Sequence, residues 1–212
     1  MGPASPHEGA APAPEGADDL VVLPVGEGMW ERVFMAAPLV LVGTREGNRY
    51  DFAPKHMAMP LGWEDFYGFV CSPRHATYSN AVSHGQFTVS FPRVDQIVET
   101  ALASAGRSAA GDKPMLAALP TIPARRVDGR LVAGCQLYLE CELERVVDGF
   151  GQNSLVIGRV VVAAAARDAI RGADVDDADL VHRLGVVAYL APGRFGVVRD
   201  SLSFPYPADF QL

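Results

Sequence analysis

The sequence predicts a mainly β protein, a barrel carrying a few short helices. Three observations lead there. About seven or eight short apolar or alternating runs are punctuated by Gly- and Pro-bearing turns. The helical patterns are few and do not interleave with the strands, which argues against a doubly wound sheet. The chain has 212 residues, 49% of them hydrophobic and 20% charged, enough for one globular domain with a real core.

The elements follow in order. Residues 1–19, "MGPASPHEGAAPAPEGADD", are Pro, Ala, Gly and acid, and read as a disordered tail. Residues 20–212 are expected to form a single domain, with "LVVLPVG" as a short strand or a segment lying across it. "PLVLVGT" (Pro38 to Thr44) is a buried strand, and "REGN" supplies a turn in which Gly47 is free to take positive φ. "RYDFAPKHMAM" follows as a second strand, whose Pro54 marks an edge or a bulge. "DFYGFVC" is a third. "PRHATYSNAVSHG" reads as a helix with Ser72 as N-cap, Pro73 in its first position and Gly85 as its stop. "QFTVSF" alternates as a fourth strand, and "VDQIVETALASAG" is helix-patterned.

Residues 107–124 form a long irregular stretch, the kind that is usually functional or packs on a neighbour. "LVAGCQLYLECELERVV" and "SLVIGRVVVAAAA" make a long hairpin around "DGFGQN". "DVDDADLVHRLG" is an acid-capped helix, "VVAYL" and "RFGVV" flank the turn "APG", and "FPYPADFQL" reads as packed coil.

Charge and motifs exclude several classes. The formal net charge of −7 argues against nucleic acid as the main partner, since backbone binding relies on positive surface. The longest apolar run, "VVVAAAA", falls well short of the roughly 20 residues of a membrane helix. No basic-then-apolar leader begins the chain, so a cytoplasmic location is expected. Cys71, Cys135 and Cys141 have neither disulfide-framework nor zinc-knuckle spacing and read as reduced, buried thiols. "GEGMWE" has two glycines of a dinucleotide fingerprint but lacks the third, and reads as a loop. No G-x-S-x-G, Walker A or H-E-x-x-H motif is present, and no His and carboxylate cluster suggests a metal.

The informative pair of stretches is Asp51 to Met59 and Ser72 to Asn80. The first is a strand whose proline interrupts the hydrogen-bond ladder, leaving backbone groups free to meet a planar heterocycle. The second is a helix start, where N–H groups and the dipole attract an anion. Arg74 adds a permanent planar charge, and Ser72, Thr77 and Asn80 add neutral donors. Thr77 and Asn80 are three apart, on one helical face. The same letters also describe a capped, solvated helix.

These segments resemble the flavin reductase-like family of FMN-binding split β-barrels. "APLVLVGTREGN", "DFAPKHMAM", "SPRHATYSNAVSHGQFTVSF" and "LYLECELERVV…SLVIGRVVVAA" carry the likeness, in order, between about Trp30 and Phe204. The resemblance implies a split barrel that binds FMN, with FAD as an alternative, and a homodimer with the flavin near its interface. It implies NAD(P)H as electron donor, hydride transfer from nicotinamide to flavin N5, and a separate monooxygenase as possible recipient of reduced flavin. It places Ala53, Pro54, Lys55, His56 and Met57 at the ring, and Ser72, Arg74, Thr77 and Asn80 at the phosphate and ribityl oxygens. His182 and Arg194 fall on the nicotinamide or partner side. Asp51 stands where the family often has Asn, and His56 where it often has Ser. His56 is the one candidate for a catalytic side chain, as a hydrogen-bond donor to the flavin or an acid in proton transfer, because imidazole titrates near neutrality. Two other functions fit the same pattern: a non-catalytic electron-transfer flavoprotein, and a split-barrel oxidase of a small organic substrate.

Overall fold

Twelve strands form three sheets in the computed structural model, which describes residues 20–108 and 113–203. The expected N-terminal tail and C-terminal coil lie outside the described residues. The main sheet has seven strands: β2 (Val40–Glu46), β3 (Arg49–Lys55), β4 (Ala58–Pro60), β5 (Phe66–Cys71), β6 (Gln86–Phe91), β9 (Leu137–Phe150) and β10 (Asn153–Ala165). Their spatial order is β3-β2-β6-β9-β10-β5-β4. A second sheet of three strands pairs β1 (Met35–Pro38) with β11 (Val186–Ala191) and β11 with β12 (Arg194–Val198). A two-stranded ribbon joins β7 (Thr121–Pro123) to β8 (Arg130–Val132). Four helices decorate the sheets: α1 (Ala76–His84), α2 (Ile97–Leu102), α3 (Pro114–Ala118) and α4 (Asp177–Leu184). None of the described helices is long and apolar enough to cross a membrane.

The expected mainly β architecture with few helices is what the chain adopts, and several boundaries move. The run expected as one strand over residues 49–59 is two, β3 and β4, on opposite edges of the same sheet. The ladder between β2 and β3 ends at the pair Val40 and Lys55, and β4 then pairs with β5 from Ala58 opposite Phe69. Pro54 costs nothing in β3 because that strand is an edge. Helix α1 begins at Ala76 rather than Pro73. Ser72 and Pro73 instead belong to a turn, in which the His75 N–H donates to the Ser72 carbonyl at 3.0 Å and the Arg74 N–H to Ser72 Oγ at 3.3 Å. Gly85 does stop the helix, at φ 67°, as Gly47 turns the β2–β3 hairpin at φ 59°.

Strand β2 reads as a continuous apolar run because it is buried on both faces. Val40 and Val42 join Phe69, Phe87, Val89, Cys141 and Val156 in the inner core, while Leu41 packs outward with Phe52, Ala103, Leu119 and Val132. This outer layer is what α2, α3 and the β7–β8 ribbon cover. The long hairpin of β9 and β10 needs Gly158 where it crosses Phe87: a Cβ there would sit 2.5 Å from the ring and 2.9 Å from the Cys141 Cβ. All three cysteines are free and buried, and burial pushes the Cys135 and Cys141 thiols up to about 12.

Glu140 on β9 is a polar side chain only 2% exposed. Its carboxylate is satisfied by the backbone N–H groups of Arg125, Arg126 and Val127, at 2.8, 2.7 and 3.2 Å. It therefore pins the turn between β7 and β8 against the barrel. Replacing Glu140 with Ala leaves three backbone donors without their acceptor, the one at Val127 buried, and the expected loss is about 3 kcal/mol of folding stability, read from the urea midpoint at unchanged slope.

Candidate functional site

The two stretches singled out in the sequence meet in one cleft. Ala53, Pro54 and Lys55 of β3 form one wall, and Arg74, His75, Ala76 and Thr77 at the start of α1 form a second. Residues 103–107, after α2, and Lys113, just before α3, form a third. The cleft measures about 340 Å³, with Asp51 on its floor.

Each wall has a physical origin. β3 bonds only to β2, so the outward-facing N–H and C=O groups of this edge have no ladder partner. Helix α1 has no side-chain cap: His75 occupies the N-cap position in extended conformation, and its ring makes no capping bond. First-turn amides are thus left for another acceptor. The Arg74 guanidinium is exposed and makes no hydrogen bond or ion pair among the described residues. Thr77 and Ala81 turn inward and are buried, which fixes the helix on the barrel. Asn80 adds a tether, its Nδ2 donating to Thr44 Oγ1 of β2 at 3.2 Å. Thr44 is the register partner of Asp51, so Asn80 ends beneath the cleft, not on its lining.

The floor and third wall carry charge. Lys113 Nζ lies 2.8 Å from Asp51 Oδ1 and donates to the Phe52 carbonyl at 3.1 Å. Arg107 reaches the same Asp51 oxygen at 3.5 Å and holds both carboxylate oxygens of Glu46, at 2.8 and 3.0 Å. Asp51 is 2% exposed.

Six of the expected site residues stand outside the lining: His56, Met57, Ser72, Asn80, His182 and Arg194. His56 stacks on Tyr189 of β11, with centroids 4.3 Å apart, and Tyr189 meets Phe195 of β12 edge-on at 5.9 Å. Burial, and then the neighbouring Lys55 charge, hold the His56 imidazole below its ordinary pKa. Met57 is exposed, and its carbonyl accepts the Val70 N–H at 2.8 Å. His182 lies on α4 near Asp200, at 3.9 Å, and Arg194 opens β12. Conversely, Arg107 and Lys113 line the cleft without having been named. The only signal for them was the length of the irregular stretch that holds them.

Comparisons with known proteins agree with this architecture. The model of the flavin reductase like domain matches residues 31–184. Flavoredoxin of Desulfovibrio vulgaris (Miyazaki F) superposes with a TM-score of 0.72 at 18% identity, over 89% of this chain and 99% of that one. A split-barrel protein from Shewanella frigidimarina described as a flavin reductase gives 0.71 at 15% identity, over 81% and 87%. Component B of nitrilotriacetate monooxygenase from Bacillus cereus gives 0.70 at 18% identity, over 80% and 88%. At these identities the structural likeness is one of fold. No curated protein matches the sequence. With its seven-stranded curled sheet and a domain match over most of its length, the chain belongs to the flavin reductase-like family.

Proposed function

We propose that the cleft binds FMN and that the protein is an NAD(P)H-dependent flavin reductase acting as a homodimer. The observation that carries this reading is the meeting of a free β edge with an uncapped, arginine-flanked helix start in a single cleft. The residues present fit the group. The polar edge of a planar ring needs backbone partners, and the outward side of the β3 edge around Pro54 offers them, Pro54 itself a carbonyl alone. A phosphate needs amides and a forked cation, which Arg74 and the first turn of α1 offer. Thr77 and Ser72 stand beside that end as neutral hydroxyl donors.

When bound, flavin would supply the chemistry itself, accepting hydride from nicotinamide at N5. The chain's part is to orient and to shield. The β3 edge fixes the ring's rotation, Arg74 holds the anionic end, and the wall at Ala103 and Ala105 excludes water. His56, held neutral, is suited to donate or accept one hydrogen bond rather than to carry a charge. Met57, Met59, Trp63 and Phe195 are exposed apolar side chains that a second copy would cover in such a dimer. The likeness to component B of a monooxygenase supports a separate monooxygenase as recipient of reduced flavin. The likeness to flavoredoxin favours a second reading, a carrier that takes electrons from another protein.

Three measurements test these statements. With excess free FMN, a reductase oxidises NADH or NADPH over many turnovers per subunit; a carrier stays yellow and oxidised with both. Arg74→Ala is expected to weaken FMN about tenfold or more while leaving riboflavin, which lacks the phosphate, nearly unchanged. The third is an NMR titration of His56, which should show a midpoint below about 6.5. Between its folded value and about 6.5 the unfolded chain binds a proton there that the folded chain resists, so stability falls as pH drops through that window. His56→Gln should remove this part of the slope.

A further inference from the structure

Asp51 is the most deeply buried charge of the cleft, with a side chain 2% exposed. Burying a carboxylate is costly unless it is paired and hydrogen-bonded. Its pairing is by charge alone at Oδ1: Lys113 Nζ stands 2.8 Å away and Arg107 Nη2 3.5 Å, yet Oδ1 receives no aligned hydrogen bond. Lys113 directs its donor to the Phe52 carbonyl instead. Arg107 is further neutralised by Glu46. Of the cleft's four cations, Lys55, Arg74, Arg107 and Lys113, two therefore already face carboxylates.

We propose that Asp51 is an internal counter-anion of the cleft, which occupies Lys113 and Arg107 in place of the ligand's phosphate and repels that phosphate, so that FMN is exchanged as a substrate rather than retained. The proposal rests on the flavin reading above. Asp51 sits on the barrel face of a strand, opposite Thr44, where it cannot swing into solvent to make way. An arriving phosphate shares a cleft of about 340 Å³ with it, so little water intervenes to screen like charges. Asn at this position keeps the shape, removes the charge and releases Lys113 to the incoming anion, while Arg107 keeps its Glu46 pair. A retained cofactor calls for that arrangement, and an exchanged one for the carboxylate.

The test is an equilibrium titration of FMN and of riboflavin into the wild-type chain, Asp51→Asn, and Asp51→Asn combined with Lys113→Met, followed by quenching of flavin fluorescence. Thermal unfolding of each variant checks the fold. Asp51→Asn should tighten FMN by about tenfold or more and leave riboflavin within about threefold, because only the phosphate feels the charge. The gain should vanish in the double variant, since Lys113 is a released cation. Equal or weaker FMN binding by folded Asp51→Asn overturns the proposal. So does equal tightening of riboflavin, which would put Asp51 on the ring or ribityl chain. Should Asp51→Asn not fold, Asp51→Ser takes its place in the same comparison, with the same two outcomes. A wild-type chain that binds neither flavin overturns the flavin reading itself, a result distinct from binding that Asp51 does not tune.

Discussion

The whole barrel depends on a crossing of two residues. The chain leaves one edge of the seven-stranded sheet at Lys55 and joins the opposite edge at Ala58, through His56 and Met57 alone. Three Cα steps reach at most about 11 Å. Seven strands laid flat at about 4.8 Å would hold their outer edges nearly 30 Å apart. The sheet must therefore curl until β3 and β4 stand side by side, and the curl encloses the inner core of Val40, Val42, Phe69, Phe87 and Val156. The edges approach but do not bond to each other, so the barrel stays split and β3 keeps a row of unclaimed backbone groups. The crossing makes the core and the ligand-facing edge in one step.

The cleft is then a matter of what covers that edge. Helix α1 is anchored by Thr77, Ala81 and the Asn80 bond to Thr44, all on its inward face, and this leaves its first turn pointing past β3. The third wall is held differently. Ala103 and Leu119 pack into the outer core with Phe52, and Arg107 and Lys113 are themselves tied to Glu46 and Asp51 by charge. Two walls thus rest on apolar packing and one partly on ion pairs. That third wall is the one whose position responds to a change of charge on the floor.

Much of this was legible in the sequence, for reasons that differ by residue. Alternation and apolar runs located β2, β5, β6, β9 and β10, because each buries at least one face of a pleat. Gly47 and Gly85 marked their turns because both take positive φ. The N-cap at Ser72 was misplaced: Ser-Pro favours a helix start and a turn alike, and only the turn lets Ser72 accept from both Arg74 and His75. Strand β1, "MAAP", carries no alternation, and its pairing with β11 spans the whole domain. The break at His56 was hidden because the pattern says that a strand continues, never which edge it joins. Of the residues that line the cleft, Pro54, Arg74 and Thr77 were singled out by local chemistry, and Ala53 and Lys55 by the resemblance. Lys113 was not, since nothing local ties it to a carboxylate 62 positions earlier.

The electrostatics of the cleft run against those of the chain. A protein of formal net charge −7 repels an anionic ligand at long range, yet the cleft walls present Lys55, Arg74, Arg107 and Lys113. At physiological ionic strength the Debye length is about 8 Å, so distant surface carboxylates are largely screened while groups inside the cleft are not. Recognition of an anion is thus decided by the few charges within hydrogen-bonding reach of it. Among these Lys55 and Arg74 face no carboxylate among the described residues, and Asp51 alone is of the wrong sign on the floor. Affinity is set by the difference between two opposed local terms rather than by a single large attraction. Such a balance is shifted by one unit of charge at position 51.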